Sequence, residues 1–243
     1  MDKHHPSELL TAVYENDENA VVRLLRGGVS AETADRDGQT VLYLAAVSDE
    51  PGIVRLLLTA GADPDRLSAG TDAPLCGASV GGHLEVVRAL LAAGATPDLA
   101  EEGGFRAVTW AVQRGQLAVL RELLTAGADP DLLGPHGEPP LVTAARRGSP
   151  GCVRALLQHG ATAWAEALTE ARRWLTLDVA TELRAGLEAA YGPGEYVTRR
   201  LPETADDAAT ITVELLRGGR LAAGTDQQTG HGVIVGLLAG GWG

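Results

Sequence analysis

Cysteine occurs only twice in the 243-residue chain, at Cys76 and Cys152, too few for a disulfide framework or a zinc cluster. Aromatic side chains are scarce as well, with one Phe, four Trp and four Tyr, and the apolar 45% comes mostly from Ala, Leu and Val. Side chains that small suit closely packed helices. Lys and Arg number 20 against 32 Asp and Glu, and the formal charge of -12 argues against a nucleic-acid partner, whose phosphates require clustered cations. The longest apolar run, Gly232 to Gly240, is too short to span a bilayer. Met1 to Leu10 lacks the apolar core of a signal peptide, so a soluble protein of the reducing cytoplasm is expected.

Short catalytic motifs are missing too. Neither Gly-x-Ser-x-Gly nor the phosphate-binding Gly-x4-Gly-Lys-Ser/Thr pattern occurs. His4, His5, His83, His136, His159 and His231 are scattered without metal-ligand spacing. Cys76 and Cys152 lie on apolar helices, where cysteine acts as a small buried hydrophobe. No cofactor, metal or enzymatic activity is expected.

What is present is periodic. Glycine recurs at Gly28, Gly61, Gly94, Gly127 and Gly160, always 33 residues apart. Before these glycines stand Val54-Arg-Leu-Leu-Leu58, Val87-Arg-Ala-Leu-Leu91, Leu120-Arg-Glu-Leu-Leu124 and Val153-Arg-Ala-Leu-Leu157. Their apolar residues, three and four apart, make one oily stripe per helix, and the glycine ends the helix in a left-handed turn. A second column, Asn16, Asp49, Gly82, Gly115 and Gly148, keeps the same interval at the joint between paired helices. Only residues that tolerate left-handed backbone fill it. The first helix of each pair reads most clearly as Gly38-x-Thr-x-Leu-x-x-Ala-Ala46, with counterparts from Ala73, Gly104 and Gly137.

These columns, together with Gly82-His83-Leu-Glu-Val-Val87 and the Gly-Ala-x-Pro-Asp segments at Gly61, Gly94 and Gly127, resemble the ankyrin repeat family over roughly residues 6–190. The resemblance implies a mainly α, helix–turn–helix solenoid that binds a protein partner. The family's signature histidine is replaced by Tyr43, Cys76, Thr109 and Val142, and only Thr40 keeps the preceding threonine. The expected division is an N-cap unit at 6–33, repeats at about 34–66, 67–99, 100–132 and 133–163, a trimmed capping unit at 164–191, and a C-terminal extension at 192–243. Ser7 is a candidate helix cap, and Trp164 and Trp174 are expected to cover the capping unit. In the extension, Thr210–Val213 favours a strand, Gly218-Gly219 a hairpin turn, and Thr229 a helix cap. Against this, Leu215-Leu-Arg-Gly-Gly219 repeats Leu24-Leu-Arg-Gly-Gly28 letter for letter, which suggests a decayed repeat.

The family's concave face and loop fingers carry its contacts, and the resemblance maps them here onto named residues. They are Arg36, Asp37, Gln39, Val47 and Ser48, then Asp72, then Glu102, Phe105, Gln113 and Arg114, and lastly His136, Glu138, Arg146 and Arg147. Phe105, the only Phe, stands in an otherwise polar column and is either an interface anchor or folded onto the adjacent finger. Trp110 is expected to fill space left by Gly77, and the column Arg55, Arg88, Arg121 and Arg154 to be a solvated outer face. Glu32, Asp37, Asp65, Asp72, Asp98, Glu101, Glu102, Asp129 and Asp131 form acidic fingers that favour a basic or mixed-charge protein partner. A monomer is expected, unless the apolar stretch at 229–239 lacks cover and pairs with a second copy. The other reading is a regulatory or targeting arm for an enzyme, acting on a separate chain or through residues 192–243.

Overall fold

The computed structural model describes residues 6–202 and 209–240. His4, His5 and the Ser7 side chain lie outside that description. The chain divides into two compact units, Met1–Gly137 and Glu138–Gly243.

In the first unit Pro6–Tyr14 (α1) pairs with Glu18–Arg26 (α2), and Val41–Val47 (α3) with Pro51–Thr59 (α4). Pro74–Gly81 (α5) and Leu84–Ala92 (α6), then Ala107–Arg114 (α7) and Leu117–Thr125 (α8), repeat the arrangement. First helices stack on first helices and second on second. The second helices bury their stripes: Ile53, Val54 and Leu57, then Val86, Val87 and Leu90, then Val119, Leu120 and Leu123 are all at most 1% exposed. Each such side chain withdrawn from water is worth about 1.5–3 kcal/mol.

Both glycine-type columns do what their chemistry predicts. Gly28, Gly61, Gly94, Gly127 and Gly160 have φ between +91° and +93°. At the joints Asn16, Asp49, Gly82, Gly115 and Gly148 have φ of +53°, +57°, +77°, +69° and +71°. Thr40 caps α3 by accepting the Tyr43 N–H at 3.2 Å, whereas Ala73 and Arg106 at the same place offer no side-chain cap.

Several acidic fingers are fasteners between repeats as well as surface charge. A Glu32 carboxylate oxygen accepts the Asp63 N–H at 2.6 Å, Asp65 accepts the Thr96 N–H at 2.9 Å, and Asp98 accepts the Asp129 N–H at 3.2 Å. Donor and acceptor stand 31 residues apart each time. Hydrogen bonds from a backbone N–H to a carboxylate are the stronger, charge-assisted kind.

In the second unit Pro140–Arg147 (α9) pairs with Pro150–Gln158 (α10) and stacks on Trp164–Leu175 (α11). The left-handed joint is then lost: after α11, Thr176 stays right-handed, and Asp178 caps Val179–Tyr191 (α12). Three antiparallel strands follow in order, Glu195–Pro202 (β1), Ala209–Arg217 (β2) and Arg220–Gln228 (β3), then the helix His231–Ala239 (α13). Strand β2 alternates, turning Ala209, Ile211, Val213 and Leu215 inward, where Ile211 and Val213 meet Leu187 of α12. Gly218 and Gly219, at φ +59° and +75°, make the tight turn whose twist suits a hairpin.

Residues 209–228 are therefore a hairpin, not a decayed repeat. β1 has no counterpart in the sequence expectations. Thr229 does not cap α13, whose N-cap is Gly230. Its hydroxyl instead accepts the Ala209 N–H at 3.0 Å, closing the end of the sheet. Trp164, expected to cover the capping unit, is itself 53% exposed. Helix α13 buries Ile234 and Leu238 within its own unit, against α11 and α10, so the uncovered apolar face that would invite a second copy is absent on that side.

The Gly148 joint has a second duty. A Cβ there would lie 2.2 Å from the Gln228 carbonyl oxygen, whereas one on Gly82 would meet only the movable end of the Gln116 side chain. Asn accepts left-handed backbone at Asn16, so Gly82→Asn is expected to cost under about 1 kcal/mol. Gly148→Asn is expected to lift residues 226–240 off the joint and cost about 2–4 kcal/mol, seen as faster amide hydrogen exchange in α13.

Candidate functional site

The first unit presents most of the surface residues expected to meet a partner. Arg36 and Asp37 are exposed at a finger tip whose turn is shaped by Asp35, which accepts the Asp37 and Gln39 N–H groups at 2.9 and 2.8 Å. Val47 and Ser48 are exposed at the end of α3, as is Arg114 at the end of α7, while Gln113 is half-buried. Glu102 and His136 are exposed on later fingers, and Gln39 and Asp72 are half-buried. Among the described residues, the side chains of Arg36, Asp37, Glu102 and Arg114 find no hydrogen-bond or ion-pair partner.

The three candidates in the second unit are engaged internally, which corrects their reading as a free face. Arg146 pairs with Glu138 and donates through Nε to Glu170 at 3.1 Å. Arg147 is only 16% exposed and pairs with Asp226 at 2.5 Å. The Arg146 carbonyl accepts both the Gln227 amide and the His231 ring, the latter at 2.9 Å. His231 stacks on Trp174, with ring centroids 5.5 Å apart. Burial pushes the His231 pKa down, while the Arg146 carbonyl and the Glu170 charge pull it back up.

Phe105 is half-buried and takes a third course, stacking on Trp110 at 4.3 Å between centroids. Trp110 does not fill the gap at Gly77; the nearest side chains there are Val47 and Tyr43. Its indole N–H donates to Glu101 at 2.8 Å, and the other Glu101 oxygen accepts the Ala73 N–H at 3.0 Å. Glu101 thus ties the entry of α5 to the next repeat. Ser68, one repeat earlier in the same column, likewise accepts the Thr40 N–H at 3.0 Å.

Burial raises the Glu101 pKa despite these hydrogen bonds, and the neighbouring Asp72 charge adds to the rise. Cys76 is buried with its thiol pushed well up by burial and by Glu101, which leaves it protonated. The column Asp35, Ser68 and Glu101, three polar residues at one interval before Gly134, was the available signal. The abundance of acids, 32 in the chain, conceals it. The Arg column is a solvated face at Arg88, which pairs with Glu85 and Glu122 at 2.9 Å each. Among the described residues, no group of three or more His, Cys, Asp or Glu side chains is placed to hold a metal, and no helix is long and apolar enough to cross a membrane.

A family model described as ankyrin repeats matches the chain in three overlapping copies, at residues 9–101, 75–167 and 108–187. No curated protein matches the sequence significantly.

Two outcomes follow. Trp110→Phe keeps the ring contact with Phe105 but strips a donor from half-buried Glu101, and should cost about 1–3 kcal/mol in urea unfolding. For His231, the folded pKa lies below the unfolded value of 6.5, so the neutral ring is the form the fold prefers. Its stabilisation is complete above that value and is lost as pH falls through the folded pKa. Unfolding of the second unit followed from pH 7.5 to 5 should therefore show a decline that His231→Gln flattens.

Proposed function

We propose that this chain, which belongs to the ankyrin repeat family, binds a protein partner through the first-helix face and finger tips of its first unit. The observation that carries the reading is a set of exposed, uncommitted side chains on a frame fastened by backbone hydrogen bonds: Arg36, Asp37, Glu102 and Arg114, flanked by Val47 and Ser48. A frame fixed in advance loses little conformational freedom on association.

Charge favours a partner that is basic or of mixed sign. Residues 1–137 hold 20 acidic and 10 basic residues, a formal balance of -10, whereas residues 138–243 hold 12 and 10, a balance of -2. Acidity is thus a property of the first unit, and attraction would act mainly on the rate of encounter. The reading is of a non-catalytic, cytoplasmic protein. Regulation of an enzyme on a separate chain is a special case of the same binding. Residues 192–243, the other place for an activity, spend their described part packing on α11 and α12. Cutting them away would uncover Leu187, so truncation is a poor test.

Point changes serve better. With a partner recovered on the full chain and then titrated directly, Arg114→Glu and Phe105→Ala are expected to weaken binding roughly tenfold. Arg55→Glu, on the outer helix α4, should leave it within about twofold. Binding that ignores the first two changes and fails with the third would place the interface on the other side.

A further inference from the structure

Successive repeats of the first unit can be compared at one place, the entry of the first helix. At α3 the Ser68 hydroxyl accepts the Thr40 N–H at 3.0 Å, and at α5 Glu101 accepts the Ala73 N–H at 3.0 Å. One period of 33 residues separates Ala73 from Arg106, Cys76 from Thr109, and Glu101 from Gly134. At α7 the column of Ser68 and Glu101 therefore holds a glycine, with no side chain to offer.

The groups that would meet the missing acceptor are in place. Arg106, the N-cap of α7, gives the helix no side-chain cap, and Ala107 keeps an N–H where α5 and α9 begin with Pro74 and Pro140. The first turn of an uncapped helix attracts negative charge. Arg106 donates Nη1 to the Leu133 carbonyl at 2.8 Å and, more loosely, to the Gly104 carbonyl at 3.4 Å, which holds its guanidinium still. Its Nε is buried and finds no acceptor among the described residues. The Thr109 hydroxyl, on a residue only 5% exposed, has no partner there either. Two arguments give its direction. A helical side chain leans toward the N-terminus of its helix, and Cys76, in the same column one repeat earlier, sends its thiol to the Glu101 carboxylate. Buried polar groups are rarely left unpaired, so two within one helical turn mark a place built for a further group. Arg106 and Gly134 are only half-buried, which leaves that place open to a side chain from outside.

We propose that Arg106, Thr109 and Gly134 form a notch at the N-terminal end of α7 for a carboxylate side chain, aspartate or glutamate, of the protein partner. The inference rests on the interaction role above and supplies the acidic member of a partner of mixed sign. A carboxylate is what stands at this place one repeat earlier, as Glu101. Its two oxygens can accept from a guanidinium Nε–H and a hydroxyl at once. A phosphate would bring more negative charge into a unit that is already acidic. Arg114, exposed at the other end of α7, offers the same acidic segment a second cation.

In the full chain, proton–nitrogen NMR spectra follow the Arg106 Nε–H and the Thr109 amide as acetyl-Gly-Glu-Gly-amide, its glutamine analogue or inorganic phosphate is added. The glutamate peptide is expected to shift both signals to saturation, the Arg106 Nε–H moving downfield, and the glutamine one to bind at least about tenfold more weakly. Thr109→Val removes an unpartnered hydroxyl and no internal hydrogen bond. It should weaken the glutamate peptide about threefold or more without lowering the urea midpoint. Gly134 lies outside the left-handed region, so Gly134→Glu sets a carboxylate in the Glu101 column; it should move the Arg106 signal by itself and block the peptide. An Arg106 signal indifferent to the glutamate peptide, equal responses to glutamate and glutamine, or phosphate binding as tight as the glutamate peptide would each overturn the notch. So would unchanged peptide affinity in Thr109→Val or Gly134→Glu. Such a result beside an intact Arg114→Glu effect on a recovered partner removes the notch alone; loss of that effect as well removes the interaction face.

Discussion

A pair of helices about nine residues long has one oily stripe and nothing within the pair to lay it against. Everything regular in the first unit answers that constraint. Ile53, Val54 and Leu57 are dry only because α2 and α6 flank α4, and each following helix repeats the demand. The neighbours must also hold a fixed spacing, or the stripes slide apart. Glu32, Asp65 and Asp98 set it by reaching one repeat onward to a backbone N–H. A solenoid of this kind is held by nearest neighbours alone.

Backbone demands were the most legible part of the fold. The joint column mixes Asn, Asp and Gly, and a reader of identities would see no repeat in it. A reader of allowed φ sees one requirement met five times. The identical pentapeptides Leu24–Gly28 and Leu215–Gly219 mark where local reading stops. The first ends α2 and the second ends β2 and turns the hairpin. Their letters carry no preference strong enough to decide; the β-branched run Thr210–Val213 and the apolar flank of α12 do. β1 was hidden because its pattern, with Arg199 and Arg200 among apolar residues, shows an edge strand only once β2 is beside it.

The candidate surface was legible by position and not by commitment. Arg36, Asp37, Glu102 and Arg114 stand where the repeat geometry puts exposed residues. Arg146 and Arg147 occupy equivalent columns, yet their guanidinium groups are taken by Glu138, Glu170 and Asp226. Asp226 is 79 residues from Arg147 in the chain, and no periodicity of 33 reports such a pairing. Glu101 shows the converse: an acid that looked like surface charge is half-buried, bonded to Ala73 and Trp110, and central to its region.

The contacts on Gly148 and Arg146 also bear on how the protein is made. Fasteners in the first unit join residues 31 apart, so each repeat has its partner soon after it leaves the ribosome. Residues Gln227 and His231 must find a carbonyl laid down 81 and 85 positions earlier. When α9 is complete those residues have not yet been added to the chain. The first unit is thus suited to assemble stepwise during translation, whereas the second closes only once residues 209–240 have emerged, and Trp174 lacks its His231 ring contact until then.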